Sequence, residues 1–132
     1  MTSPSLVSES EPVVPPSAVS DPRLFLPLSP SAFHILLALA DGERHGYAIS
    51  KEAEVATAGS LRLGPGTLYR LIKQMVTDGW IVEINRIDAS DPRRRVYRLT
   101  KWGRRVASAE AERLAELVRV AQSRKLLPAN AL

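Results

Sequence analysis

Residues 90–103 read SDPRRRVYRLTKWG, which places Arg93, Arg94, Arg95 and Arg98 within six positions. Four guanidinium groups that close repel one another. An anionic partner is the chemistry they suit, because each carries a permanent charge and a planar fork of donors that fits phosphate oxygens. Between Arg86 and Arg105 there are eight cations against Asp88 and Asp91, a net of +6. A second set lies in GPGTLYRLIKQMVTDGW, residues 64–80, where Thr67, Tyr69, Arg70, Lys73 and Gln74 gather toward one end. Arginine and glutamine side chains pair with guanine and adenine edges, and backbone N–H groups at a helix start bind phosphate. For each set the duller alternative is a solvated charged face. Tyr69 has a further alternative, packing against its own domain, and so does Arg98, on the opposite pleat from Tyr97 and Leu99.

Those residues need elements to hold them. Leu68, Leu71, Ile72, Met75 and Val76 recur at helical spacing, so residues 65–77 form an amphipathic helix with the polar set on its other face. Pro65 suits its first turn and Asp78-Gly79 stops it. The arginine run lies between two strand candidates, Trp80–Ile84 and Arg95–Leu99, joined by a turn-rich loop. Strand alternation sends some of Arg93, Arg94 and Arg95 outward, where phosphate or a narrow minor groove is the expected partner. Upstream, Leu28, Ala32, Ile35, Leu36 and Leu39 predict a helix capped by Ser29 with Pro30 at its first position. A second helix is expected from His45 to Ala56, with Tyr47, Ile49 and Ala53 toward the core. Leu61–Leu63 is at most one short strand. Thr100 predicts the N-cap of a last helix reaching about Lys125.

Composition bounds the rest. Residues 1–27 hold six of the ten prolines and one cation against three acids, so they read as a disordered proline-rich tail. The remainder carries seventeen cations against eleven acids, so the segment 86–105 matches its whole net charge of +6. There is no cysteine, which suits a reducing cytoplasm. Two histidines are too few for a metal site, no cofactor is expected, and neither has a partner in a nucleophile motif, so an enzyme is not expected. Neither a signal peptide nor a membrane span is expected. The Gly64-Pro65-Gly66 turn mimics a dinucleotide fingerprint, but Tyr69 replaces its third glycine and no further βαβ unit follows.

The fold class is therefore mainly α with a small β-hairpin: helix, helix, short strand, helix, two-stranded basic hairpin, long helix. That is a winged helix-turn-helix, in which the third helix enters the major groove. HGYAI (45–49), GTLYRLIKQMVTDGWI (66–81) and RRVYRLTKWG (94–103) together resemble the PadR family of transcriptional regulators, over roughly residues 28–125. Family members commonly have two aromatics before Arg-Leu-Thr and glycine in the wing; here Val96-Tyr97 and Asp91-Pro92 stand instead.

The resemblance implies a cytoplasmic repressor that binds double-stranded DNA as a homodimer, with a small lipophilic or aromatic compound as effector. It also divides the chain into a DNA-binding domain at 28–100, a dimerisation helix at 101–125 and a flexible end at 126–132. On that helix Ala107, Ala111, Leu114, Val118 and Ala121 step by heptad spacing, and Leu117 adds apolar area. Packing of this helix on its own domain is the competing role, and Trp80 and Trp102 are either effector contacts or core. A winged-helix module that turns its basic wing on an acidic protein is the alternative function.

Overall fold

Ser29 and Pro30 set the start of the first helix. The Ser29 hydroxyl accepts the Ala32 N–H at 3.1 Å, and proline at the first position loses no intrahelical bond. The computed structural model describes residues 21–84 and 95–130. In it α1 spans Pro30–Leu39, and its apolar face of Ala32, Ile35, Leu36 and Leu39 is buried as its spacing predicts. A two-residue strand, β1 (Arg44–His45), precedes α2 (Gly46–Ala56). Then come α3 (Pro65–Thr77), β2 (Ile81–Glu83), β3 (Val96–Leu99) and the long α4 (Lys101–Ser123). Gly79, at φ +80°, supplies the left-handed residue that ends α3 and turns the chain into β2.

The strands form an antiparallel sheet in the order β1-β3-β2. Leu99 faces Ile81, Tyr97 faces Glu83 on one side and Arg44 on the other, and His45 faces Val96. One core joins the layers: Ile35 and Leu36 of α1, Ile49 of α2, Leu68, Ile72 and Met75 of α3, Ile81, Tyr97 and Leu99 of the sheet, and Trp102 and Val106 of α4. Each large aliphatic side chain buried there contributes about 1.5–3 kcal/mol. Most of that holds α3 and the sheet in one mutual orientation.

The start of α4 is fixed by Thr100. Its hydroxyl donates to the Gly79 carbonyl at 2.6 Å, lies 3.0 Å from the Trp80 carbonyl, and accepts the Gly103 N–H at 2.9 Å. Its backbone N–H donates to the Trp80 carbonyl as well, at 3.0 Å. A methyl group at Gly103 would lie 1.9 Å from that same carbonyl oxygen, so only glycine lets α4 cross here. The inner side of α4 is Trp102, Gly103, Val106, Ala109 and Glu110.

Four expectations change. Residues 21–27, assigned to the tail by their prolines, are folded: Pro22–Phe25 is a 3₁₀ turn capped by Asp21, and it packs on α4. The Phe25 ring meets Trp80 and Trp102 edge-on, with centroids 5.7 and 6.0 Å away. Apolar contacts to two indoles outweigh the compositional bias. Leu61–Leu63 is irregular rather than a strand, which removes the βα unit a dinucleotide site would need. The sheet has three strands, not two, because Arg44–His45 joins it. Tyr47 is exposed. The inward face of α2 is Gly46, Ile49 and Ala53, and one residue past Gly46 turns about 100° off it.

Candidate nucleic-acid interface

Helix α3 buries one side and offers the other. Leu68, Ile72 and Met75 are in the core, whereas Thr67, Arg70, Lys73, Gln74 and Thr77 are exposed. No ion pair among the described residues engages Arg70 or Lys73, so both charges are available. Gln74 is less so, since its amide donates to the Asp78 carboxylate one turn on, at 3.1 and 3.2 Å. That bond must open before Gln74 can read a base edge.

The start of α3 is open. Its N-cap, Gly64, provides no side-chain acceptor, and Cβ atoms built on Gly64 or Gly66 would meet nothing within 4 Å. The early N–H groups of the helix, at the positive end of its dipole, therefore have no capping side chain, and the space beside Gly64 and Gly66 is open among the described residues. These are the features a phosphate requires.

Tyr69 points elsewhere. Its ring lies over α2, so that a Cβ at Gly46 would sit 2.7 Å from the phenol oxygen and 2.8 Å from ring carbon Cε1. It is half-buried against the core, which is the packing role weighed above for it. Gly46 is what allows α3 to approach α2 this closely.

Of the three wing arginines, Arg93 and Arg94 lie outside the described residues. Arg95 is described, and strand alternation puts it on the same face as Tyr97 and Leu99, toward α3. Its guanidinium lies 3.9 Å from the Glu83 carboxylate, and its side chain lines one cleft together with Tyr97. Burial raises the Tyr97 pKa above its ordinary value, Glu83 raises it further, and Arg95 works against both. A cleft of about 380 Å³ runs between α3 and the base of the wing, lined by Tyr69, Ile72, Lys73, Val76, Glu83, Arg95 and Tyr97. Sequence reading missed this junction, although the period of two from Leu99 back to Arg95 was a usable signal.

The outer side of α4 is separate from this surface. Ala111, Leu114 and Leu117 are exposed, Val118 and Ala121 half-buried, and Ala107 half-buried against its own core. Leu117 retains 51% of its surface, a large apolar exposure on a helix whose other side is satisfied. Trp80 and Trp102 are both buried under Phe25 and belong to the core. Glu110, also buried, accepts two hydrogen bonds from Arg113 at 2.8 Å, which together with burial set its charge state. Among the described residues no helix is long and apolar enough to cross a membrane, and no cluster could hold a metal ion.

Residues 35–109 match the family described as Transcriptional regulator PadR-like family. Transcriptional regulator Rv3488 of Mycobacterium tuberculosis is 36% identical over 86 residues, which cover 65% of this chain and 77% of that protein. A 37.1 kDa protein in transposon TN4556 of Streptomyces fradiae is 36% identical over 83 residues, 63% of this chain but 22% of that longer protein. Among solved structures, a transcriptional regulator from Clostridium thermocellum, Cth-833, superposes with a TM-score of 0.60 at 22% identity, covering 84% of this chain and 97% of that one. The TA0346 protein of Thermoplasma acidophilum gives 0.55 at 22% identity, over 70% and 87%.

Proposed function

This chain belongs to the PadR-like family of transcriptional regulators, a DNA-binding and non-enzymatic class, and from that premise we propose that it is a homodimeric repressor of a pseudo-palindromic operator. Helix α3 enters the major groove, with Thr67, Arg70, Lys73 and Gln74 reading base edges or neighbouring phosphates. Arg93 and Arg94 track phosphate or the minor groove beside it. The single observation that carries this reading is the outer face of α3: exposed, cationic, without internal ion pairs, and continuous with an open helix start. The stripe of exposed Ala111, Leu114 and Leu117 with half-buried Val118 and Ala121 supports pairing of two copies along α4. Two α3 helices in such a dimer address half-sites about 34–36 Å apart. Release by a small lipophilic or aromatic compound is the regulatory half of the proposal.

Selection from random duplexes tests it. The expected product is a two-fold-symmetric site, and transcription from a promoter carrying that site should fall when the protein is present. Arg70→Ala should weaken binding and lower the slope of log affinity against log salt by about 0.9 if it neutralises one phosphate. Gln74→Ala should change base preference at one position per half-site. Equal affinity for every duplex, indifferent to both substitutions, would refute the assignment; retention of the protein by an acidic protein surface instead would favour the interaction-module reading.

A further inference from the structure

We propose that Arg95 is a positioning residue, which locks the base of the wing to the recognition helix and does not itself touch DNA. The inference rests on the reading that α3 and the wing face the duplex together. Sequence alone groups Arg95 with Arg93 and Arg94 as a phosphate contact, but its own surroundings give it another role. Its side chain lies on the core-facing pleat, 3.9 Å from Glu83 on β2 and beside Tyr97 on β3. Its own carbonyl accepts the Gly46 N–H at 3.3 Å, at the start of α2. Gly46 in turn is where the Tyr69 ring of α3 is seated. One residue therefore joins α2, both strands of the wing, and, across the cleft it shares with Tyr69 and Lys73, the helix that reads DNA.

The chemistry favours a clamp over a contact. A guanidinium paired with a carboxylate has its charge partly offset, whereas a phosphate contact needs that charge in reserve. About a third of each side chain, Arg95 and Glu83, remains exposed, so the pair adds little stability. What it fixes is geometry. A carboxylate at Glu83 also opposes an approaching phosphate backbone, so its presence next to a DNA surface is a cost unless it orients something.

The opposed signs give the test. Affinity for a random-sequence duplex is measured across a salt series for the full chain, Arg95→Gln, Arg95→Lys and Glu83→Gln, with thermal midpoints to confirm that each is folded. Arg95→Gln should weaken binding on the order of tenfold with the salt slope unchanged. Arg95→Lys should not restore it, because a compact ammonium on a flexible stem lacks the planar fork that sets the side chain against Glu83 and Tyr97. Glu83→Gln, which removes a negative charge near the duplex, should fail to strengthen binding. The proposal is overturned by a slope reduced by about 0.9 in Arg95→Gln with Arg95→Lys behaving as wild type, the signature of a phosphate contact. Tighter binding by Glu83→Gln, or unchanged affinity in a folded Arg95→Gln, overturns it equally. Arg70→Ala is the separate control: if it is silent the reading of the α3 face fails, while Arg95 is still judged by its own affinity and slope.

Discussion

Replacing Gly103 by alanine tests the account of how α4 is anchored. In an ordinary helix interior the change would help, by about 1 kcal/mol, because alanine is the better helix former. Here the new methyl carbon would stand 1.9 Å from the Trp80 carbonyl oxygen, 2.7 Å from its carbon and 3.0 Å from Leu99 Cδ1. Two of those three atoms are backbone, so no side-chain rotation relieves the overlap. Ordinary contact begins near 3.5 Å, so α4 must retreat by roughly 1.5 Å. That retreat pulls on the Thr100 bonds to Gly79, Trp80 and Gly103, which cannot stretch that far, so at least one of them is lost.

Overpacking costs about 1–3 kcal/mol, and a buried polar group left without its partner costs about as much again. After the helix-propensity gain, the net loss should be about 2–4 kcal/mol. For a domain of this size that lowers the thermal midpoint by roughly 10–25 °C. Thermal unfolding followed by circular dichroism, at matched protein concentration, reads the shift. Gly66→Ala is the control, since a Cβ there meets nothing within 4 Å and the midpoint should hold or rise slightly. Equal midpoints for Gly103→Ala and wild type would refute the reasoning, and so would equal behaviour of the two alanine variants.

Two further outcomes follow from α4. Arg113 holds the buried Glu110 carboxyl below its ordinary value of about 4.5, so its stabilisation is complete above that pH and is lost as pH falls through the lower folded-state value. Glu110→Gln should cost about 1–3 kcal/mol at neutral pH, less than a fully buried pair because Arg113 reaches water, and the gap to wild type in urea unfolding should shrink as the solution is acidified. Leu117→Lys should leave the thermal midpoint of the protomer nearly unchanged and shift sedimentation from dimer to monomer, since half of Leu117 is already exposed in one copy.

Much of this molecule was legible in its residues. The caps at Ser29 and Thr100, the stop at Asp78-Gly79 and the inward stripe of α3 are local signals, each fixed by a few neighbouring side chains. The exposed set Thr67, Arg70, Lys73 and Gln74 followed from that stripe by subtraction. What escaped was long-range. Arg44–His45 is too short to show a period, and becomes a strand only because β3 lies beside it. Residues 21–27 look like linker until two tryptophans, more than fifty positions away, receive Phe25. Glu110 resembles any surface acid, yet it is buried, with Arg113 hydrogen-bonded to its carboxylate. Composition grouped Arg95 with its neighbours because it counts charge, whereas the pleat decides where that charge points.

The fastening of Thr100 to the turn between α3 and β2 has a mechanical consequence. Helix α4 spans 23 residues, about 34 Å, and its root is held against the segment that leaves α3. It therefore acts as a stiff lever with its fulcrum next to the end of α3. Tilting it by only about five degrees sweeps its far end through about 3 Å. In a pair of copies joined along these levers, a small adjustment anywhere along the shared seam would alter the span between the two reading heads, and with it which helical phase of the duplex they can grip together.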